Sequence, residues 1–193
     1  MSTDSLDSPL MLRHYTLERP ATWVALAGFM GTGKSRIGWE LSRRLSLNFI
    51  DTDRVIERVS CMRIPDIFEL YGEAVFREYE MEIVRRCLRL DEVVISTGGG
   101  TVMRAENRRM LKSRGPVIVL TASPETIYKR TRRHKRPLLE IGNPEGRIRE
   151  LMSARKAAYD DAGSLQVSTD GRQSEDVIEE IVEKLWHVRE ARA

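Results

Sequence analysis

Cysteine is nearly absent: the 193 residues hold two, Cys61 and Cys87. Two unpatterned thiols make neither a disulfide framework nor a zinc site, so both are expected to be reduced and partly or fully buried. Histidine is almost as scarce, with His14, His134 and His187 at no metal-ligand spacing. Long apolar runs are missing as well; none approaches the length of a membrane span. The first twenty residues carry Asp4, Asp7, Arg13, Glu18 and Arg19 and lack the apolar centre of a secretory signal, so a cytoplasmic setting is expected. A large excess of one charge is lacking too: 32 Lys and Arg stand against 29 Asp and Glu, a formal net charge of +3. That excess suits anionic ligands without making a nucleic-acid surface, and neither nucleic acid nor membrane is expected as a partner.

What is present is the composition of a folded domain, with 41% hydrophobic and 32% charged residues. Residues 1–20 are polar, contain Pro9 and Pro20, and read as a flexible extension ahead of a single domain over 21–193. From Thr22 onward, short apolar runs alternate with helical patterns. TWVALA, LNFI, EVVIS, PVIVL and SLQVS have the length of buried strands. Helices are expected over Lys34–Leu45, Pro65–Leu88, Arg104–Ser113, Pro124–Arg133, Pro144–Tyr159 and Ser174 to about Val188. Such alternation predicts an α/β fold, a parallel sheet covered on both faces, with ligands at the carboxyl ends of its strands.

Directly after the first strand run, Gly28-Phe-Met-Gly-Thr-Gly-Lys-Ser35 satisfies G-x-x-x-x-G-K-[ST] at every fixed position. Gly28, Gly31 and Gly33 let successive N–H groups turn toward phosphate oxygens, and the following helix adds its positive end. Lys34 is expected to reach the outer phosphates and Ser35 to ligate magnesium. The motif marks a phosphate site without naming a reaction.

Four further segments admit two readings each. After LNFI come Asp51-Thr52-Asp53; if the strand continues, both carboxylates face one side, and otherwise Thr52 or Asp53 caps the helix RVIERVS. Arg77 is a ligand-binding cation or a helix-surface partner of Glu73 and Glu80. Gly98-Gly99-Gly100 is a close-approach turn or a flexible connection, and three glycines are entropically costly for a mere connector. The basic run Lys129 to Arg136 is a solvated helix end or the start of a mobile lid.

Taken in order, GFMGTGKS, NFIDTD, DIFELYGEAVFREYE, ISTGGGTV, RPLL and RKAAY resemble the signatures of the shikimate kinase family, over about residues 22–188. The resemblance implies a three-layer P-loop fold around a central five-stranded parallel sheet, with a substrate-binding helical region about 52–90 and a lid about 131–146. It implies ATP-dependent phosphorylation of the shikimate 3-hydroxyl, with ATP as co-substrate, one Mg²⁺ per subunit, and a monomer whose partners are small molecules. By the same resemblance Asp53 binds substrate hydroxyls and is the candidate general base. Asp51 stands near Mg²⁺ beside Ser35, and Arg77 and Arg155 grip the substrate carboxylate, with Glu80 supporting Arg77. Gly98, Gly99 and Gly100 approach the substrate ring. Gly31, Thr32, Gly33, Lys34, Ser35 and Arg36 hold ATP, with Arg130 and Arg172 toward the adenine and Arg136 on the transferred phosphate. Two positions depart from the family pattern: Arg36, where threonine is common, and Cys61-Met62, where glycine is common.

Two other readings compete. A kinase for another hydroxylated acid, such as gluconate, shares the phosphate loop but does not need FRxxE, the triple glycine and RKAAY together. A non-catalytic nucleotide switch needs none of the acceptor-side residues, and the Asn-Lys-x-Asp guanine motif of a GTPase is absent.

Overall fold

The computed structural model describes residues 18–132 and 143–191. Five strands, β1 (Trp23–Gly28), β2 (Asn48–Asp51), β3 (Val93–Ser96), β4 (Val117–Thr121) and β5 (Leu165–Ser168), form one sheet in the order β2-β3-β1-β4-β5. Every pairing is parallel. Each apolar run of the sequence becomes one of these strands. The described residues also form seven α-helices, the last of them after β5: α1 (Lys34–Arg44), α2 (Thr52–Ser60), α3 (Ile64–Cys87), α4 (Ala105–Arg114), α5 (Pro124–Thr131), α6 (Pro144–Ala162) and α7 (Ser174–Glu190).

The central strand shows why the sheet needs helices on both faces. All six residues of β1 are buried. Trp23, Ala25 and Ala27 point into a core with Ile56, Ile83 and Ile148, while Val24 and Leu26 point into a second core with Leu41, Ile181 and Leu185. Alternate residues of a strand face opposite sides, so the two cores are the two faces of one sheet. α1 and α7 cover one face and α2 to α6 the other. Pro124 and Pro144 stand in the first turns of α5 and α6, after the caps Ser123 and Asn143. Among the described residues, no helix is long and apolar enough to cross a membrane.

Three expectations need correction. The strand does not continue through Asp53: β2 ends at Asp51, whose Oδ1 accepts from the N–H groups of Asp53 (3.1 Å) and Arg54 (3.3 Å) and so caps α2. Asp51 therefore takes the capping role expected of Thr52 or Asp53, because those two N–H groups lack intrahelical partners. The long helix is broken at Gly72 (φ 78°, ψ 171°), a conformation that costs a side-chain-bearing residue far more. The break brings Phe68 and Phe76 together, ring centroids 4.8 Å apart. Cys61 is exposed, ending α2 in a left-handed conformation, while Cys87 is buried, and burial pushes its thiol up to about 11.

Candidate active site

The residues with chemical potential collect at the carboxyl ends of the strands, as expected for an open parallel sheet. The loop after β1 reverses direction through Gly33 (φ 91°), which precedes the first turn of α1. Lys34 is buried there and donates to the carbonyls of Gly28 (2.9 Å) and Phe29 (3.0 Å). Thr32 Oγ1 closes the turn onto the same Phe29 carbonyl (2.8 Å). Ser35 is exposed in the first turn of α1, and Arg36 leans outward onto Glu40 (2.9 Å).

Beside this loop lies a cavity of about 270 Å³, whose lining includes Thr32, Gly33, Arg36, Arg130 and Arg172. Arg130 donates to the Gly31 carbonyl (3.2 Å) and to both the hydroxyl and carbonyl of Thr169 (2.9 Å each). It thereby fastens the phosphate loop to the segment after β5. Arg172, in that segment, is committed to α7 through Glu180 and the Asp176 carbonyl (2.8 Å).

A second, smaller pocket of about 90 Å³ is lined by Asp53, Arg77, Glu80, Gly99, Gly100 and Arg155, with Met30, Ile64, Phe68 and Phe76 as apolar walls. Its charges come from three elements: Asp53 from the first turn of α2, Arg77 and Glu80 from α3 beyond the break, and Arg155 from α6. Arg77 makes the helix ion pairs of one reading and also stands in the wall of this pocket. It pairs with Glu73 (2.5 Å) and Glu80, yet its side chain is only 11% exposed and faces the pocket. Burial works against its charge, but Glu80 and Glu73 outweigh it and hold the guanidinium above its ordinary pKa. Glu80 is 1% exposed and accepts from Thr101 Oγ1 (2.6 Å) on its other oxygen. A buried carboxylate with two donors is a rigid mount for the arginine above it. A Cβ at position 100 would collide with the Arg77 guanidinium, so a larger residue there would displace that side chain.

Arg155 is the more telling cation. It is 9% exposed, lies over the Phe29 ring at 5.6 Å, and its Nη1 is buried with no hydrogen-bond partner among the described residues. A buried, unsatisfied charged donor is costly, and the cost is recovered when an anion arrives.

The structure thus brings Asp53, Arg77, Gly99, Gly100 and Arg155 into one pocket and sets Gly98 at its edge, its N–H held by Thr52 Oγ1 at 3.0 Å. Asp51 is not in the lining. Arg136 lies outside the described residues. Sequence reasoning gave no role in the site to Phe29, Thr52, Thr101, Tyr159 or Thr169. Only Tyr159 left a usable signal, since it follows Arg155 by four residues and shares its helix face.

Comparison with known proteins gives this geometry a family. The family model described as shikimate kinase matches residues 30–186. The chain belongs to the shikimate kinase family. It is 58% identical over 177 residues to a shikimate kinase of Deinococcus radiodurans, covering 92% of this chain and 90% of that one. A shikimate kinase of Thermus thermophilus is 56% identical, over 90% of this chain and 95% of that one. Among solved structures, a shikimate kinase from Acinetobacter baumannii in complex with shikimate superposes with a TM-score of 0.84 at 34% identity, over 87% of this chain and 94% of that one. A gluconokinase from Sinorhizobium meliloti reaches a TM-score of 0.56 at 15% identity, over 90% of this chain and 97% of that one, a likeness of fold alone. Membership of the shikimate kinase family is in keeping with a phosphate loop beside a small, arginine-lined pocket.

Proposed function

We propose that this chain transfers the γ-phosphoryl group of ATP to the 3-hydroxyl of shikimate, giving shikimate 3-phosphate and ADP on the route to chorismate and the aromatic amino acids. The observation that carries the reading is Arg155, whose buried, unpartnered Nη1 stands in the same pocket as Arg77 and Asp53. Shikimate is a small ring with one carboxylate and several hydroxyls. Two arginines suit the carboxylate, each charge-assisted hydrogen bond contributing on the order of 1.5–3 kcal/mol. Asp53, in the same pocket, accepts from a hydroxyl and aligns it for in-line attack.

On the nucleotide side, Lys34 exchanges its two carbonyl partners for phosphate oxygens, while the N–H groups of the loop and of the first turn of α1 cradle the rest. Arg36, Arg130 and Arg172 line the neighbouring cavity, which suits the nucleoside. Magnesium fits the donor set: the Ser35 hydroxyl and the Asp51 carboxylate, one of whose oxygens caps α2, are hard oxygen ligands. Among the described residues, no group of three or more His, Cys, Asp or Glu could hold a metal ion, so phosphates and water would supply most of its shell. When bound, the ion neutralises charge on the phosphates. The reading places a monomer in the cytoplasm, where ATP is available.

The test is ADP release by the purified chain with MgATP, comparing shikimate, quinate, gluconate, a nucleoside monophosphate and no acceptor. Strong stimulation by shikimate alone is expected. Equal or better stimulation by gluconate would overturn shikimate as the acceptor, and ATP binding with no stimulated release would favour a nucleotide switch.

A further inference from the structure

The glycine turn after β3 is held at four points, two of them within the turn itself and two from distant helices. The peptide entering Gly98 is fixed by its N–H on Thr52 Oγ1 (3.0 Å). The peptide between Gly98 and Gly99 is fixed by the Thr101 N–H on the Gly98 carbonyl (3.2 Å), and the one leaving Gly100 by the Met103 N–H on the Gly100 carbonyl (2.9 Å). The peptide between Gly99 and Gly100 has a different anchor. Its carbonyl accepts from the hydroxyl of Tyr159, 60 residues away on α6, at 2.6 Å.

That plane is the one most in need of an anchor. It rotates about Gly99 ψ and Gly100 φ, and with glycine on both sides few steric walls oppose rotation. In a trans peptide the carbonyl and the next N–H point in opposite directions. Holding the Gly99 carbonyl on Tyr159 therefore aims the Gly100 N–H the other way, whereas a flipped plane would put a carbonyl oxygen in its place. For a pocket that receives an anion, the difference between a donor and an acceptor at Gly100 decides whether the dipole attracts or repels. Gly99 and Gly100 line the acceptor pocket, and Tyr159 does not.

We infer that Tyr159 is a positioning residue for the acceptor, which locks the Gly99–Gly100 peptide so that its N–H, with Arg155 one helical turn earlier, presents donors to the substrate carboxylate and ring. The inference rests on the reading of this pocket as the acceptor site. Tyr159 is buried, and burial pushes its hydroxyl up to about 12 against the opposing influence of Arg155, so it stays a donor across the working pH range. Its ring remains core packing in either case; only the hydroxyl carries the positioning role.

Tyr159→Phe keeps the ring and removes the donor. Steady-state kinetics, calorimetric titration of shikimate without nucleotide, and the thermal midpoint are measured for this variant, for Arg155→Ala and for the unaltered chain. The expected result is a roughly five- to tenfold rise in both KM and Kd for shikimate, with KM for ATP unchanged, kcat within about twofold and the midpoint nearly unmoved. Weaker shikimate binding in Arg155→Ala but not in Tyr159→Phe would overturn this inference and leave the site reading intact. No weakening in either variant would overturn both. A parallel loss for shikimate and ATP with a lowered midpoint would make Tyr159 structural and overturn the positioning role.

Discussion

The two halves of the site are built in opposite ways. The phosphate side is eight consecutive residues, Gly28 to Ser35, between one strand and one helix. The acceptor side draws Asp53, Arg77, Gly100 and Arg155 from α2, α3, the turn after β3 and α6. Phosphate is recognised largely by backbone N–H groups, and a single turn can aim several of these at once. A carboxylate on a small ring needs side-chain charges from more than one direction, and only tertiary structure brings those together. Changes on one side should therefore spare the other, and this separation can be attacked experimentally.

The largest effect is expected at Asp53. Asp53→Asn should lower kcat at least about a hundredfold while ADP affinity, measured by titration, stays within about twofold. Near-normal turnover would remove Asp53 from the reaction, and a matching loss of ADP affinity would break the separation of the halves. Glu80→Gln should come next. It leaves Arg77 with a neutral partner at a buried position, costing about 2–3 kcal/mol of stability in a denaturant titration and raising KM for shikimate but not for ATP. Unchanged stability and KM together would mean that Glu80 does not mount Arg77.

The smallest effect is set by acid. Asp170 accepts from the N–H of Ser123 (2.7 Å) and from its hydroxyl (3.2 Å), joining the segment after β5 to the start of α5. Burial raises its pKa, but the hydrogen bonds from Thr126 and Ser123, with Arg130 nearby, outweigh burial and hold the carboxyl below the usual range. A carboxyl whose folded pKa is depressed contributes stability above its unfolded value, near 4, and loses it as pH falls through the folded value. Asp170→Asn should flatten the fall of the thermal midpoint below about pH 4 and leave shikimate binding untouched. An unaltered acid profile would show that Asp170 carries no such linkage.

The same division explains what could be read in advance. The five strands were legible because each is a short apolar run between helical patterns, and the phosphate loop because its spacing is contiguous. Gly72 was harder, since a lone glycine within a helical pattern does not by itself signal a break. The Asp51 to Asp53 stretch stayed open between strand and cap because the end of β2 is decided by which side chain caps α2, a contest between three neighbouring polar residues. On the acceptor side the charges of Arg77 and Arg155 stood out only through the ordered motifs. Thr101 beneath Glu80 and Phe29 beneath Arg155 carry no local sign of those contacts, which span 21 residues in the first case and join the phosphate loop to α6 in the second.

The most direct test of this account is calorimetric titration of shikimate and, separately, of ADP into Arg155→Ala. Loss of one charge-assisted carboxylate contact predicts shikimate binding weaker by roughly ten- to 150-fold with ADP binding unchanged. Undiminished shikimate affinity, or equal losses for both ligands, would contradict an acceptor clamp assembled independently of the phosphate loop.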